Sequence, residues 1–363
     1  MNKTFYSTAF RLTSPGHFEK EILEVKLNTG SVLVEPKLAS VCHADIRYYT
    51  GNRRKEALKN KLPMALFHEG IGTVVESLDN KIQKGQRVVI IPNIPGYVLD
   101  RKPKSECCES CRSGGADNYC EDGVFLGSGF DGIGQSRLVL PSENVIPIPD
   151  NIPDEIAVLA ELCSVSLHAI KQLTEEDIHN NKIGVFGDGP VGFLTASLLH
   201  YKYKVPAERL FVFGAIPDKL EQFDFATTHL VHDFDFKKEL GIATVFECTG
   251  GKFSENAINQ AINIIARSGQ LILLGVSEDR VPINTRDILE KGIKISGSSR
   301  SSADEFKLLM GILQNENFQK NVSKLVPESP HHIRSVEDLT EAMNNLVENK
   351  GWKKSYLLFD WDE

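Results

Sequence analysis

The sequence predicts an α/β protein in two parts, a β-rich first domain followed by a doubly wound parallel sheet. Three observations predict it. The first 150 residues carry short β-type runs broken by Gly and Pro: Val32-Leu33-Val34, Gly72-Thr73-Val74-Val75, Arg87-Val88-Val89-Ile90-Ile91 and Arg137-Leu138-Val139-Leu140. From about Asp154 the texture changes to helical periodicity over 155–173, and then strand-like and helix-like segments alternate. A glycine turn, Gly187-Asp188-Gly189-Pro190-Val191-Gly192, stands between the strand-like Ile183-Gly184-Val185-Phe186 and an apolar helical stretch over 191–199.

Further strands are expected at Leu210-Phe211-Val212-Phe213, Thr244-Val245-Phe246-Glu247-Cys248, Leu271-Ile272-Leu273-Leu274 and Ile293-Lys294-Ile295, with helical patterns over 255–265 and 285–290 between them. This is the βαβ rhythm of a parallel sheet. After Ser299-Arg300 the chain is expected to return to the first domain and to end on Ser355-Tyr356-Leu357-Leu358-Phe359. The expected division is 1–155, completed by 300–363, and 156–299.

The 363 residues are 41% hydrophobic, enough for a core in each part. A net charge of -8 and a pI near 5.8 argue against nucleic acid or an anionic membrane as partner, while leaving room for a local basic pocket that takes a small anion. No run approaches 18 apolar residues, and the first ten lack a signal-peptide core, so a cytoplasmic protein is expected.

Cys42-His43-Ala44-Asp45 and His68-Glu69 supply the ligand types of a catalytic zinc. Such a site keeps three protein ligands and one open position; Cys42, His68 and Glu161 are the candidates. Glu69 is an alternative ligand or an acid behind one, and Asp45 orients a ligand. Alone, each would read as an ordinary core residue; together they read as a metal site. Cys107, Cys108, Cys111 and Cys120 crowd too closely for a disulfide framework and suggest a second, structural zinc. Cys108 and Cys111 form a ligand pair and Cys120 a third donor. The fourth stays open between Cys107 and none, since Ser105 stands where a regular run wants cysteine.

The glycine turn points to a dinucleotide, with Gly187, Gly189, Pro190, Val191 and Gly192 along its pyrophosphate. The next strand ends on Gly214 rather than on an acid, and Lys219 follows, which favours NADP; Asp218 serving NAD is the alternative. On this reading Gly214→Asp would shift preference toward NAD. Metal and dinucleotide together narrow the chemistry to oxidation or reduction at a carbonyl carbon.

The order C-x2-D, H-E-G-x-G, cysteine lobe, E-x6-H, G-x-G-x-x-G, F-E-C-T-G-G and L-L-G-V-S-E resembles the zinc-dependent medium-chain dehydrogenase/reductases over nearly the whole chain. Within them, Arg47-Tyr48-Tyr49-Thr50-Gly51, Leu62-Pro63-Met64, Asn284-Thr285-Arg286 and Gly297-Ser298-Ser299-Arg300 are similar to the ribulose-5-phosphate reductases. The resemblance implies a GroES-like catalytic domain, a Rossmann domain, and an active-site cleft between them. It also implies NADP contacts at Gly275 and Arg300, a homodimer or homotetramer, and a functional link to a ribitol-5-phosphate cytidylyltransferase. The product would be ribitol 5-phosphate for CDP-ribitol and for teichoic acid or capsule.

Two departures from the wider family stand out. Ala44 replaces the usual Ser or Thr of the proton relay, leaving water, Tyr48, Tyr49 or Glu161 as routes. Arg47 replaces a relay His and offers phosphate a guanidinium fork, with Arg53, Arg54 and Lys61 nearby. The rival readings are a dehydrogenase of an unphosphorylated polyol or alcohol and a non-catalytic nucleotide sensor.

Overall fold

The computed structural model describes residues 3–238, 240–348 and 351–361. The chain forms two compact units, Met1–Glu161 with Ser301–Asn315 and Leu325–Glu363, and Leu162–Arg300 with Glu316–Lys324.

The first unit opens on an antiparallel hairpin, Lys3–Ser14 with His17–Leu27, turned at Gly16 with φ +78°. A second sheet runs in the order Val145–Pro147, Arg87–Ile90, Glu69–Ser77, Ser31–Ser40, Tyr356–Phe359, His331–Ile333, with Leu138–Pro141 also paired to Ser31–Ser40. Its pairs are antiparallel except the last, where His331–Ile333 lies parallel to Tyr356–Phe359. The inward residues Val34, Phe67, Ile90, Leu140 and Leu357 share one core with Phe10 and Tyr48. The C-terminal strand sits beside the strand that leads to Cys42, with Leu357 opposite Ala39 and Tyr356 opposite Ser40. That register brings the stretch just before Tyr356 to the candidate ligands near the start of the chain.

The second unit is a six-stranded parallel sheet ordered Thr227–Leu230, Leu210–Gly214, Lys182–Phe186, Ile242–Glu247, Ile265–Leu273, Lys294–Gly297. This is the doubly wound order 3-2-1-4-5-6 in which dinucleotides bind where the strand order reverses. Phe186, Phe213, Val245 and Leu271 fill one side of it with Ala257, Ala261 and Ile262 from the helix Ser254–Ile264.

The division departs from the expected one at 156–161, which stay with the first unit, at Arg300, which stays with the second, and further along the chain. The helix Glu316–Val322 belongs to the second unit rather than completing the first. Asn321 donates to Ser197 Oγ at 2.7 Å in the interior, and Phe318 is fully buried. A buried amide with such a partner anchors the helix there. Among the described residues no helix is long and apolar enough to cross a membrane.

Candidate metal and nucleotide sites

Cys42 leaves the strand Ser31–Ser40 and caps the N-terminus of the helix His43–Tyr49. Asp45, in the first turn of that helix, holds two segments together. Its Oδ2 accepts from Cys42 N–H at 2.9 Å and its Oδ1 from Phe67 N–H at 3.2 Å. Phe67 is in the left-handed region at φ +74°, a conformation that costs about 1–3 kcal/mol and persists only where the surroundings impose it. Its carbonyl accepts from Ile133 N–H, and a Cβ on Gly132 would lie 2.1 Å from that oxygen, so the loop 127–134 closes over this bend. The bend delivers His68, whose Nδ1 lies 3.8 Å from Asp45 Oδ1 and whose ring packs against Phe125.

Donor atoms of Cys42, His68 and Glu69 lie within 4.8 Å of one another. Glu161, at the start of the helix Ala160–Ile170, is buried and interacts electrostatically with His68 and Glu69, but it does not join that trio. Burial, then the Glu69 and Asp45 carboxylates, push Glu161 up to about 7 against the opposing pull of His68. Burial would lower the His68 pKa, yet Asp45, Cys42 and Glu161 hold it well above its ordinary value. An imidazolium held by anionic groups marks a place where a divalent cation can replace the proton. His68 Nδ1, buried without a hydrogen-bond partner, fits that exchange.

Sequence reasoning missed Lys354. It is buried, donates to Val41 O at 2.8 Å and to Glu69 Oε1 at 3.2 Å, and lies 2.9 Å from Glu69 Oε2. Against the upward push of burial, Lys354 holds Glu69 below the usual carboxylate range. The only local signal was a lysine two residues before a buried strand.

The cysteine lobe gathers all four thiols Cys107, Cys108, Cys111 and Cys120, so Cys107 stands with the other three as the candidate for the fourth donor that spacing left open. Cys120 Sγ lies 3.7 Å from Cys107 Sγ and 3.8 Å from Cys108 Sγ, and none of the seven cysteines is joined in a disulfide. Backbone N–H donors, that of Cys111 first, bring Cys108 down to about 6, while burial pushes Cys111 and Cys120 up. Tyr97 and Lys104 both donate to Asp117, at 2.8 and 2.7 Å, and brace the lobe from outside.

Tyr48 links the basic residues expected to take phosphate. The Arg53 guanidinium lies over its ring at 4.6 Å, and its hydroxyl is 3.2 Å from Ser128 Oγ, which accepts from Lys61 Nζ at 2.8 Å. Ser128 is a partner no motif announced. Arg47 lies half-buried in the helix His43–Tyr49, and Arg54 is exposed at the start of Lys55–Lys61. Tyr49 donates to Asn344 Oδ1 at 2.7 Å, which commits its proton away from the relay considered for it.

In the second unit Lys182–Phe186 runs into Gly187, at φ +131°, and then the helix Pro190–Ser197 capped by Gly189. A Cβ on Gly192 would stand 2.0 Å from Gly187 O. Gly192→Ala is therefore expected to open the turn and abolish dinucleotide binding, measured by fluorescence titration; wild-type affinity would refute the cradle. Val191 lies in the first turn of that helix and Lys219 in the short helix Pro217–Leu220. Gly275 is pressed against Glu247, where a Cβ would lie 2.5 Å from Oε2, and Arg300, at φ +62°, ends the first stretch of the unit.

Gly214 corrects an expectation. A side chain there would meet Asp188 Cβ at 2.7 Å and Leu220 Cδ2 at 2.8 Å, so Gly214→Asp cannot be made without displacing Asp188. The exchange is not a clean test of cofactor preference.

Comparison with known proteins identifies the family. The family "Alcohol dehydrogenase GroES-like domain" matches residues 28–150, and "Zinc-binding dehydrogenase" matches residues 218–315. Ribulose-5-phosphate reductase 1 of Staphylococcus aureus is 37% identical over 354 residues, covering 96% of this chain and 97% of its own length. The ribulose-5-phosphate reductase of Bacillus spizizenii is 34% identical over 355 residues, with 97% and 98% covered. The crystal structure of S. aureus TarJ in complex with NADPH matches with a TM-score of 0.82 at 32% identity, covering 98% of this chain and 100% of that one. With its GroES-like and zinc-binding dehydrogenase halves, the chain belongs to the zinc-dependent medium-chain dehydrogenase/reductases, in the group of the ribulose-5-phosphate reductases.

Proposed function

We propose that this protein reduces D-ribulose 5-phosphate to D-ribitol 5-phosphate with NADPH at a zinc centre, for CDP-ribitol and ribitol-phosphate polymer synthesis. The observation that carries the reading is the gathering of Cys42, His68 and Glu69 donors in a chain that also holds the glycine turn of a dinucleotide fold. Bound zinc supplies Lewis acidity toward the carbonyl oxygen and NADPH supplies hydride to its carbon. Cys42 and His68 are assigned as ligands, with the third place taken by Glu69, gathered beside them and paired with Lys354, or by Glu161. Asp45 is assigned to holding Cys42 and His68 in place.

The proton that completes the alcohol needs a route of its own. Ala44 has no hydroxyl to pass it, and Tyr49 is spent on Asn344. The Tyr48–Ser128–Lys61 chain of hydrogen bonds supports a route through Tyr48.

Arg47, Arg53, Arg54 and Lys61 are assigned to the substrate phosphate. A lost charged hydrogen bond costs about 1.5–3 kcal/mol, so Arg47→Ala is expected to raise KM for ribulose 5-phosphate about tenfold or more and leave NADPH affinity unchanged. NADPH oxidation assayed on ribulose 5-phosphate against free ribulose tests the substrate directly. Equal kcat/KM on the two would favour an unphosphorylated ketose. A cytoplasmic homodimer or homotetramer working ahead of a ribitol-5-phosphate cytidylyltransferase completes the reading.

A further inference from the structure

Asp188 lies in the glycine turn, but its carboxylate serves the neighbouring strand. Its Oδ2 accepts from Ala215 N–H at 2.7 Å and from Ile216 N–H at 2.9 Å, the first two amides beyond Leu210–Gly214. The end of that strand is where a doubly wound dinucleotide domain reads the adenosine ribose. An acid there accepts from the 2′-hydroxyl of NAD, and a nearby cation accommodates the 2′-phosphate of NADP. Here the strand ends on Gly214, which brings no side chain, and the space that one would take is filled by Asp188. A Cβ on Gly214 would be 2.7 Å from Asp188 Cβ and 2.9 Å from its Oδ2. The acid missing from the strand end is thus supplied by the adjacent turn.

Successive backbone N–H groups make an anion-binding concavity. In this protein the anion is internal, the Asp188 carboxylate. A 2′-phosphate arriving at this strand end carries roughly two negative charges. It competes with that carboxylate for the same amides and is repelled by it, while Lys219, half-buried in Pro217–Leu220, is the cation on the same loop.

We propose that Asp188 is a specificity-determining residue of the cofactor site: its carboxylate, held on the Ala215 and Ile216 amides, weakens the grip on the 2′-phosphate and narrows the preference for NADPH over NADH. This rests on the NADPH reading above. Asparagine at 188 keeps an oxygen for the two amides and removes the charge, which separates electrostatics from loop support.

The test is calorimetric titration of wild type and Asp188→Asn with 2′,5′-ADP and with 5′-ADP, which needs no turnover. The variant is expected to bind 2′,5′-ADP at least about fivefold tighter, the size of the repulsion between the carboxylate and one unit charge of the phosphate about 4 Å away in water. Its affinity for 5′-ADP is expected to stay within about twofold, since that ligand carries no 2′-phosphate to repel. Asp188→Ser, with the charge gone and most of the tether lost, should move the ratio of the two affinities the same way and stands in if the asparagine variant does not fold. An unchanged ratio, or weaker 2′,5′-ADP binding in the variant, overturns the proposal. Wild type that binds only 5′-ADP would sink the NADPH reading instead; a variant that then gains 2′,5′-ADP binding would still support the role of Asp188.

Discussion

Cys42→Ser is expected to lower kcat by about 10³-fold and to reduce bound zinc from two ions per chain to one. A serine hydroxyl is a much poorer zinc ligand than a thiolate, so His68 and the nearby carboxylates lose the donor that completes their set. Losing the Lewis acid removes several kcal/mol of charge stabilisation at the carbonyl oxygen, and about 4 kcal/mol corresponds to that rate. The remaining ion would sit in the Cys107, Cys108, Cys111 and Cys120 lobe, whose thiols gather independently of Cys42. Metal analysis beside steady-state kinetics checks both parts. A variant with full turnover, or one that still carries two zinc ions, would refute the assignment of Cys42.

Lys354→Met is expected to destabilise the fold by about 3–5 kcal/mol, because it strands one half of a buried pair. The side chains of Lys354 and Glu69 are 7% and 0% exposed, so a Glu69 carboxylate left with Ser40 and His68 has no water to replace the lost cation. Methionine keeps most of the volume, which confines the loss to charge and hydrogen bonding. The pH dependence has a definite sign. Glu69 is depressed below its ordinary 4.5, so its share of stability is present above about that pH and is lost as pH falls through the folded value. Lys354 is raised above its ordinary 10.5, so its share is present below that pH and is lost as pH rises through the folded value. The gap between wild type and variant should therefore be widest between those limits and narrow on either side, as Glu69 takes up a proton or Lys354 loses one. Urea unfolding at several pH values measures it, and a gap under about 1 kcal/mol would place the pair among weak surface contacts.

Much of the parallel sheet was legible because its strands are uninterrupted apolar runs set apart by helical patterns. Leu210–Gly214 and Ile242–Glu247 carry no alternation to misread. The hairpin strand His17–Leu27 was silent. It carries Glu19, Lys20, Glu24 and Lys26 along an exposed edge, where charge guards against pairing with another chain and blurs the two-residue period. The short strand Thr227–Leu230 and the helix Glu316–Val322 escaped for a related reason. Neither has a strong period of its own, and each is held by partners elsewhere, Phe211–Gly214 for the strand and Ser197 for the helix.

The sites divide in the same way. By itself the sequence determined the ligand types, the glycine turn, the cysteine cluster, the missing hydroxyl at Ala44 and the guanidinium at Arg47. Each of these is a matter of residue chemistry at short spacing. Only the tertiary structure decided that Cys107 joins the lobe, that Tyr49 is spent on Asn344, that Lys354 neutralises Glu69, and that Asp188 fills the place Gly214 leaves. Most of these pairings cross from one strand or helix to another far along the chain. Strand register sets one of the most distant of them, where Leu357 opposite Ala39 carries Lys354 to Glu69. No local pattern contains that register, because it is chosen by the burial of whole faces at once.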